Sequence, residues 1–330
     1  MFPVLKNDLE AIELLKGFVP KKVFDTHVHL HVAASMPTQY DPNGTFYRER
    51  GTVNDYLTDM MPLLPGAETI RLNIMPMPDV GMNDHTLRLR ELANEHIFQQ
   101  LLEHPDQVGS PYIMHGDSEE DIVKLVQHPG IKALKCYCFS ADTMDHEYCT
   151  IDEYLPEAAW DVANQLGLAI VLHMMRPAAL SDEANFTYVS KMARKYSNAQ
   201  LILAHCARGF ASWTVVDKIR ELEDNGNIWF DMAAVCESPP IAACILKNAA
   251  KRTLWGSDYP ICMNRGKVVS MGTDFAWFVD QPFPKRSSPC FVALENLMAF
   301  RQAAIMLDLD QTQIEDLFYW NAMSLFNLSD

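Results

Sequence analysis

Eight short apolar runs, each followed by a stretch of helical periodicity, constrain this chain more than any other feature of its sequence. The runs are residues 23–29, 69–75, 111–115, 131–137, 168–173, 201–205, 228–232 and 253–258. They are rich in Val, Ile, Leu and aromatic residues, as strands buried on both faces must be. Between them the pattern predicts helices over 53–61, 84–103, 118–127, 152–166, 182–196, 210–224 and 240–250, with Ser118 and Ser181 as caps. Strands alternating with helices make a parallel sheet, and eight is the number that closes one into a barrel. The expected fold is therefore α/β, a (β/α)8 TIM barrel formed by residues 1–330 as one domain. An amphipathic helix capped by Asn7, with Glu10 three residues on, precedes it, and additional C-terminal helices over 290–306 and 312–326 follow. A doubly wound open sheet is the alternative. Against it, the first strand-to-helix turn has histidines in place of a Gly-rich phosphate loop.

The composition, 48% hydrophobic and 21% charged, suits a large buried core. A formal net charge of -16 argues against nucleic acid or an anionic membrane as partner. Residues 1–20 lack the basic start and apolar run of a signal peptide, and no segment has the length of a membrane span. A cytoplasmic location is expected. The eight cysteines have no framework spacing, which predicts buried thiols rather than disulfides.

The first run ends in Asp25-Thr26-His27-Val28-His29-Leu30-His31. Residues i and i+2 of a strand share a face, so His27 and His29 can present two imidazoles to one point. Other polar residues stand at the ends of apolar runs: Lys135, His173, His205 and Asp258. A buried charge there needs a partner or a metal. Three imidazoles and a carboxylate suit zinc or a similar ion, with one position left for water. The two long connections, 32–52 and 259–288, have turn residues but little periodicity. Both leave the C-terminal ends of strands, the active-site face of a barrel.

At this point the chain resembles the amidohydrolase superfamily. Asp25-Thr26-His27-Val28-His29 is similar to its first-strand motif, and His173 to its fifth-strand histidine. Leu203-Ala204-His205-Cys206 resembles the sixth-strand motif, and Trp255-Gly256-Ser257-Asp258-Tyr259-Pro260 that of the eighth strand. The helix 314–326 is similar to the terminal helix of the branch that includes aminocarboxymuconate-semialdehyde decarboxylase. The resemblance implies that His27, His29, His173 and Asp258 hold one divalent metal, zinc or manganese, that activates water. It assigns His205 and Asp258 the handling of that water's proton. In binuclear relatives a fourth-strand lysine is carboxylated and bridges two metals. Lys135 occupies about that place, but the eighth-strand motif and the terminal helix resemble the mononuclear branch, which implies an ammonium that binds a substrate carboxylate or a neighbouring acid, with the carboxylated bridge as the alternative. The implied activity is hydrolysis of an amide, lactone or ester in a small carboxylate-bearing substrate. Metal-dependent decarboxylation or hydration of an unsaturated or aromatic acid is the alternative, and a barrel that only binds is a third reading. A homodimer is expected.

Arginines bear on the substrate. Arg176 lies three residues past His173, Arg208 three past His205, and Arg265 in the loop after Asp258, while Arg48 and Arg50 lie in the first long loop. Gathered at one mouth, such residues would grip carboxylates. Arg176, Arg208, Arg265, Lys135 and His115 are the candidate substrate contacts. Cys206-Ala207-Arg208-Gly209 stands where decarboxylating relatives commonly have a small Gly-rich turn. His31 is a candidate to support the metal site or line the cleft, and Met174, Met175, Met263, Trp277 and Phe278 to form an apolar wall. His85, His96, His104, His128 and His146 read as surface histidines.

Overall fold

The computed structural model describes residues 2–46, 48–79, 87–141, 143, 145–279 and 288–329. Its central strands are β1 (Lys22–Val32), β2 (Thr69–Pro76), β3 in two pieces (Val108–Gly109 and Tyr112–Ile113) and β4 (Ala133–Cys136). They continue with β5 (Ala169–Leu172), β6 (Gln200–Leu203), β7 (Ile228–Asp231) and β8 (Thr253–Leu254). Each pairs in parallel with the next. The break in β3 falls at Ser110 and Pro111, where proline has no N–H to give the ladder; a bridge between Gly109 and Ile131 carries the sheet across it.

The ring closes between β8 and β1. Thr26 N–H donates to Trp255 O at 3.1 Å, Asp258 N–H to His27 O at 2.9 Å and His29 N–H to Tyr259 O at 2.7 Å. The fold is thus the expected eight-stranded α/β barrel. Helices follow the strands, among them Val53–Met60, Leu87–Glu103, Glu183–Lys195 and Ser238–Lys247.

Inside the ring, Phe24, Val108, Ala133, Val171, Ile202 and Leu254 meet Tyr319, Met323 and Phe326 of the C-terminal helical run. That run caps the N-terminal end of the barrel: Trp255 N–H donates to Leu317 O at 2.9 Å, and Asn321 Nδ2 to Thr253 O at 2.8 Å. Burying each such large side chain contributes about 1.5–3 kcal/mol. With this end plugged, the polar strand ends have only the opposite end to open onto.

A bulge in β1 sets which side chains arrive there. The β1–β2 register shifts between Asp25 and Val28. Phe24 faces the barrel interior, whereas Val28 packs in the outer core against the helices. The shift sends Asp25 outward, where it accepts a hydrogen bond from Tyr56 at 2.7 Å, and leaves His27 and His29 facing in.

The sequence reading needs correction at several places. The connection after Asp258 is not irregular: β9 (Gly266–Met271) and β10 (Asp274–Val279) form an antiparallel hairpin. Gly266 adopts φ +148°, and a Cβ there would lie 1.8 Å from Phe278 O, so only glycine fits. Glu237 pins the hairpin by accepting from Ser270 N–H at 2.9 Å and Ser270 Oγ at 2.6 Å. The first helix starts at Lys6 without an Asn7 cap, because Asp8 accepts from Leu5 N–H at 2.7 Å instead. Asp182, not Ser181, caps Glu183–Lys195, since its carboxylate meets Ala184 N–H and Asn185 N–H. The span 210–224 holds only the turns Trp213–Val216 and Ile219–Glu221; the Thr214 hydroxyl bonds Ala211 O at 2.8 Å, competing with a regular helix. The eight cysteines are free thiols, all but Cys290 buried. No described helix is long and apolar enough to cross a membrane.

Candidate metal centre

The side chains of His27 and His29 are oriented by what their outer ring nitrogens meet. His27 Nδ1 faces Asp231 Oδ2 at 2.9 Å, and a carboxylate only accepts, so Nδ1 carries the proton. His29 Nδ1 faces Tyr137 Oη at 3.1 Å and Pro76 O at 3.4 Å, and the Tyr137 hydroxyl gives its own proton to Pro76 O. Nδ1–H is therefore the satisfied tautomer of His29 as well. Both Nε2 lone pairs then face each other, 3.1 Å apart. Asp258 Oδ1 completes the group at 3.2 Å from His29 Nε2 and 3.6 Å from His27 Nε2. Three acceptors aimed at one buried point repel unless a cation lies between them. Nitrogen and oxygen donors in this arrangement fit a divalent transition metal.

His205 enters from a turn of unusual hand. His205, Cys206, Ala207 and Arg208 have φ of 55°, 52°, 58° and 57°, one left-handed turn without a glycine. Such a conformation costs about 1–2 kcal/mol per residue, so it persists only where contacts fix it. Here His205 N–H donates to Asp231 Oδ1 at 2.9 Å, Gly209 N–H to His205 O at 2.7 Å, and Arg208 Nη1 to Arg176 O at 3.0 Å. His205 Nδ1 faces Ala233 O at 2.8 Å, which leaves its Nε2 as the acceptor. The ring lies 4.8 Å from that of His27 and 4.9 Å from that of His173. Burial lowers the pKa of His205, and burial with the neighbouring His205 lowers that of His173 well below the ordinary range, which favours the neutral form of both rings.

These groups floor a cavity of about 280 Å³. Its wall is aromatic: Tyr137, Phe139, Phe210, Phe275 and Trp277. Phe275 and Trp277 come from one face of β10, and their rings lie 5.3 Å and 5.4 Å from that of Phe210. Two cations line it, Lys135 and Arg208, which are 1% and 9% exposed. Lys135 Nζ sits 4.9 Å over the Tyr137 ring and the Arg208 guanidinium 5.2 Å over Phe275. Among the described residues, neither has a carboxylate at ion-pair distance. Burial lowers the pKa of both.

A family model described as amidohydrolase matches residues 24–328. The chain belongs to the amidohydrolase family. No curated protein sequence matches it. Among solved structures it is similar to 5-carboxyvanillate decarboxylase from Sphingomonas paucimobilis, at 12% identity over 94% of this chain and 100% of that one, TM-score 0.60. A probable 2-pyrone-4,6-dicarboxylic acid hydrolase from Acinetobacter baumannii, solved with citric acid bound, matches at 14% identity over 93% and 99%, TM-score 0.60. A dihydroxybenzoic acid decarboxylase from Polaromonas sp. JS666, with manganese bound, matches at 13% over 93% and 97%, TM-score 0.56. The chain is an enzyme of this metal-dependent family, and those decarboxylases and hydrolases share its fold.

The amidohydrolase brings His27, His29, His173, His205, Asp258, Lys135 and Arg208 into one cavity. The other candidate substrate contacts lie elsewhere. Arg176 is turned to Asp182, with Nε at 2.9 Å from its carboxylate and Nη1 on Tyr148 O. Arg265 bridges Asp8 at 2.7 Å and Pro3 O, stacked 4.0 Å over Phe291, and so ties down the N-terminal segment. His115 is exposed in a separate groove with Asp152 and Glu183. Arg48, within the first long loop, is held by Asp59 and Asp55. His31 contacts that loop through Arg48 O at 3.2 Å and does not line the cavity. His96, expected at the surface, is buried and faces Gly51 O at 2.8 Å; His85 lies outside the described residues. Of the proposed wall, Met175 and Trp277 line the cavity, Met174 and Met263 are core, and Phe278 is exposed. Asp231 was missed, although it too is a polar residue ending an apolar run. Asp25, pushed up to about 7 by burial, was read only as part of a motif.

Proposed function

We propose that this amidohydrolase hydrolyses an amide, lactone or ester in a small carboxylate-bearing molecule. The observation that carries this reading is the convergence of His27 Nε2, His29 Nε2 and Asp258 Oδ1 on the floor of a cavity whose cations have no carboxylate at ion-pair distance among the described residues. His27, His29 and Asp258, with His173 beside them, would hold one divalent metal, zinc or manganese. Such an ion supplies Lewis-acid polarisation of a carbonyl and lowers the pKa of water. The rest is the work of this chain. His205, neutral and with Nε2 as its acceptor, takes the proton of the attacking water; Asp258 is the second acceptor within reach of the same point. Arg208 holds the substrate carboxylate with a charge-assisted, planar contact, and Lys135 acts as an ammonium deeper in the cavity rather than as a bridge between two ions. Phe210, packed against the His205 ring, and Phe275 and Trp277 beside it exclude water from the cavity wall.

The aromatic wall favours one second reading, decarboxylation of a flat unsaturated or aromatic acid, the kind of reaction named for two of the similar structures. Turnover of carboxylate-bearing lactones, amides and aromatic acids in H2 18O separates the two. Label in the product carboxylate with no carbon dioxide supports hydrolysis. Carbon dioxide without incorporation establishes the second reading, and turnover that survives both chelation and Asp258→Asn sinks both.

A further inference from the structure

Asp231 ends β7 wholly buried, and its two oxygens do different work. Oδ2 accepts Nδ1–H of His27 at 2.9 Å. Oδ1 accepts the backbone N–H of His205 at 2.9 Å and of Ala233 at 3.1 Å. We propose that Asp231 is the positioning residue of the metal centre, fixing the His27 proton on Nδ1 so that the Nε2 lone pair faces the metal point, and holding in place the left-handed turn that carries His205 to the same point.

The inference rests on the metal-centre reading above. A neutral imidazole can carry its proton on either nitrogen, and only one choice leaves a donor pair toward the ion. The ring nitrogen facing a carboxylate must be the one that donates, and the opposite nitrogen is then a ligand. Partners of this kind both orient a ligating histidine and raise its basicity. The second oxygen meets a separate need, since four successive non-glycine residues in the left-handed region hold together only where the surroundings over-determine them. His27, His205 and Asp231 also lie close enough together to suggest a second cation site. His27 Nδ1 already gives its proton to Asp231 Oδ2, however, and Oδ1 is taken by the backbone N–H groups of His205 and Ala233, which makes Asp231 a support rather than a ligand.

The two roles can be separated because they use different oxygens. In Asp231→Asn the amide oxygen can keep the bonds from His205 and Ala233 N–H, while the NH2 group turns to His27. His27 Nδ1 must then accept, and its proton moves to Nε2, against the ion. The test uses protein with 15N-labelled histidine, freed of metal, and its long-range 15N–1H spectrum. His27 is expected as Nδ1–H in the wild type and Nε2–H in D231N. Competition with a chelating dye should show zinc and cobalt affinities about 10–100-fold weaker in D231N. Unchanged affinity, or a loss of affinity without the tautomer change, would overturn the inference. Should D231N fail to fold, the wild-type spectrum decides, because His27 protonated on Nε2 is incompatible with the role. Wild-type protein that binds neither ion would instead bring down the metal-centre reading itself.

Discussion

His27 Nε2 and His29 Nε2 face each other at 3.1 Å with neither carrying a proton, because Asp231 and Tyr137 each hold the opposite ring nitrogen. In the absence of a cation this contact is repulsive, so a bound ion must stabilise the fold as well as serve chemistry. About one equivalent of metal per chain is expected from protein purified without chelator or histidine tag. Added zinc at a hundred times its Kd should raise stability by about 2.7 kcal/mol. His27→Ala should remove that response and turnover together. A metal-independent melting temperature in the wild type would contradict the arrangement, and two equivalents would favour a carboxylated Lys135.

The barrel was legible because its evidence is distributed: eight apolar runs each repeat the same local instruction. The gathering of His27, His29, His173, His205 and Asp258 in one cavity was legible for a related reason, since strand ends converge in a barrel whatever the details of each loop. What escaped the sequence depends on single events. One extra residue in β1 turns Asp25 away from His27, and no periodicity marks a bulge. The hairpin 266–279 has β-branched and aromatic residues around Gly272, yet it lies in a stretch whose turn residues read as loop. Arg176 and Arg265 were placed by spacing from the strand ends, but an arginine follows its nearest acid, and Asp182 and Asp8 claim them first.

Arg208 tests the substrate side. Its guanidinium lies over Phe275, fixed by one bond to Arg176 O, and no carboxylate of the described residues stands at ion-pair distance from its remaining donors. Arg208→Met should raise KM at least tenfold for a carboxylate substrate and leave its neutral amide counterpart unaffected. Arg208→Lys should recover only part of the loss, because an ammonium lacks the planar fork. Equal effects on the charged and neutral substrates would show that Arg208 acts through packing alone.

Glu237 tests the hairpin. Its carboxylate joins Ser212 to Ser270, and burial, which pushes it up, is outweighed by the hydroxyl and amide donors that hold its pKa below the usual range. Glu237→Ala leaves those donors unmet and frees the hairpin whose second strand carries Phe275 and Trp277. The cost in global stability should be modest, about 1–2 kcal/mol. Hydrogen exchange across 266–279 should accelerate much more than exchange in the barrel strands. Uniform acceleration throughout the chain would mean that Glu237 supports the core and not the cover of the cavity.

His31 gives the fold a defined response to acid. Burial lowers its pKa from the ordinary 6.5 to about 4, with Arg48 and His96 adding to the effect against the bond to Arg48 O. The folded chain therefore keeps His31 neutral where the unfolded chain protonates it. The unfolded state binds the extra proton between about pH 6.5 and 4, so stability is complete above that window and is lost as pH falls through it. The full effect is on the order of 3 kcal/mol. Asp25 works in the opposite direction: burial raises its pKa to about 7, so its contribution declines as pH rises toward that value. Comparing metal-free wild type with His31→Gln by urea unfolding cancels the Asp25 term. The wild type should lose stability relative to the variant on going from pH 7 to pH 4.5. A difference that stays constant with pH would show that His31 is protonated in the folded chain as readily as in the unfolded one.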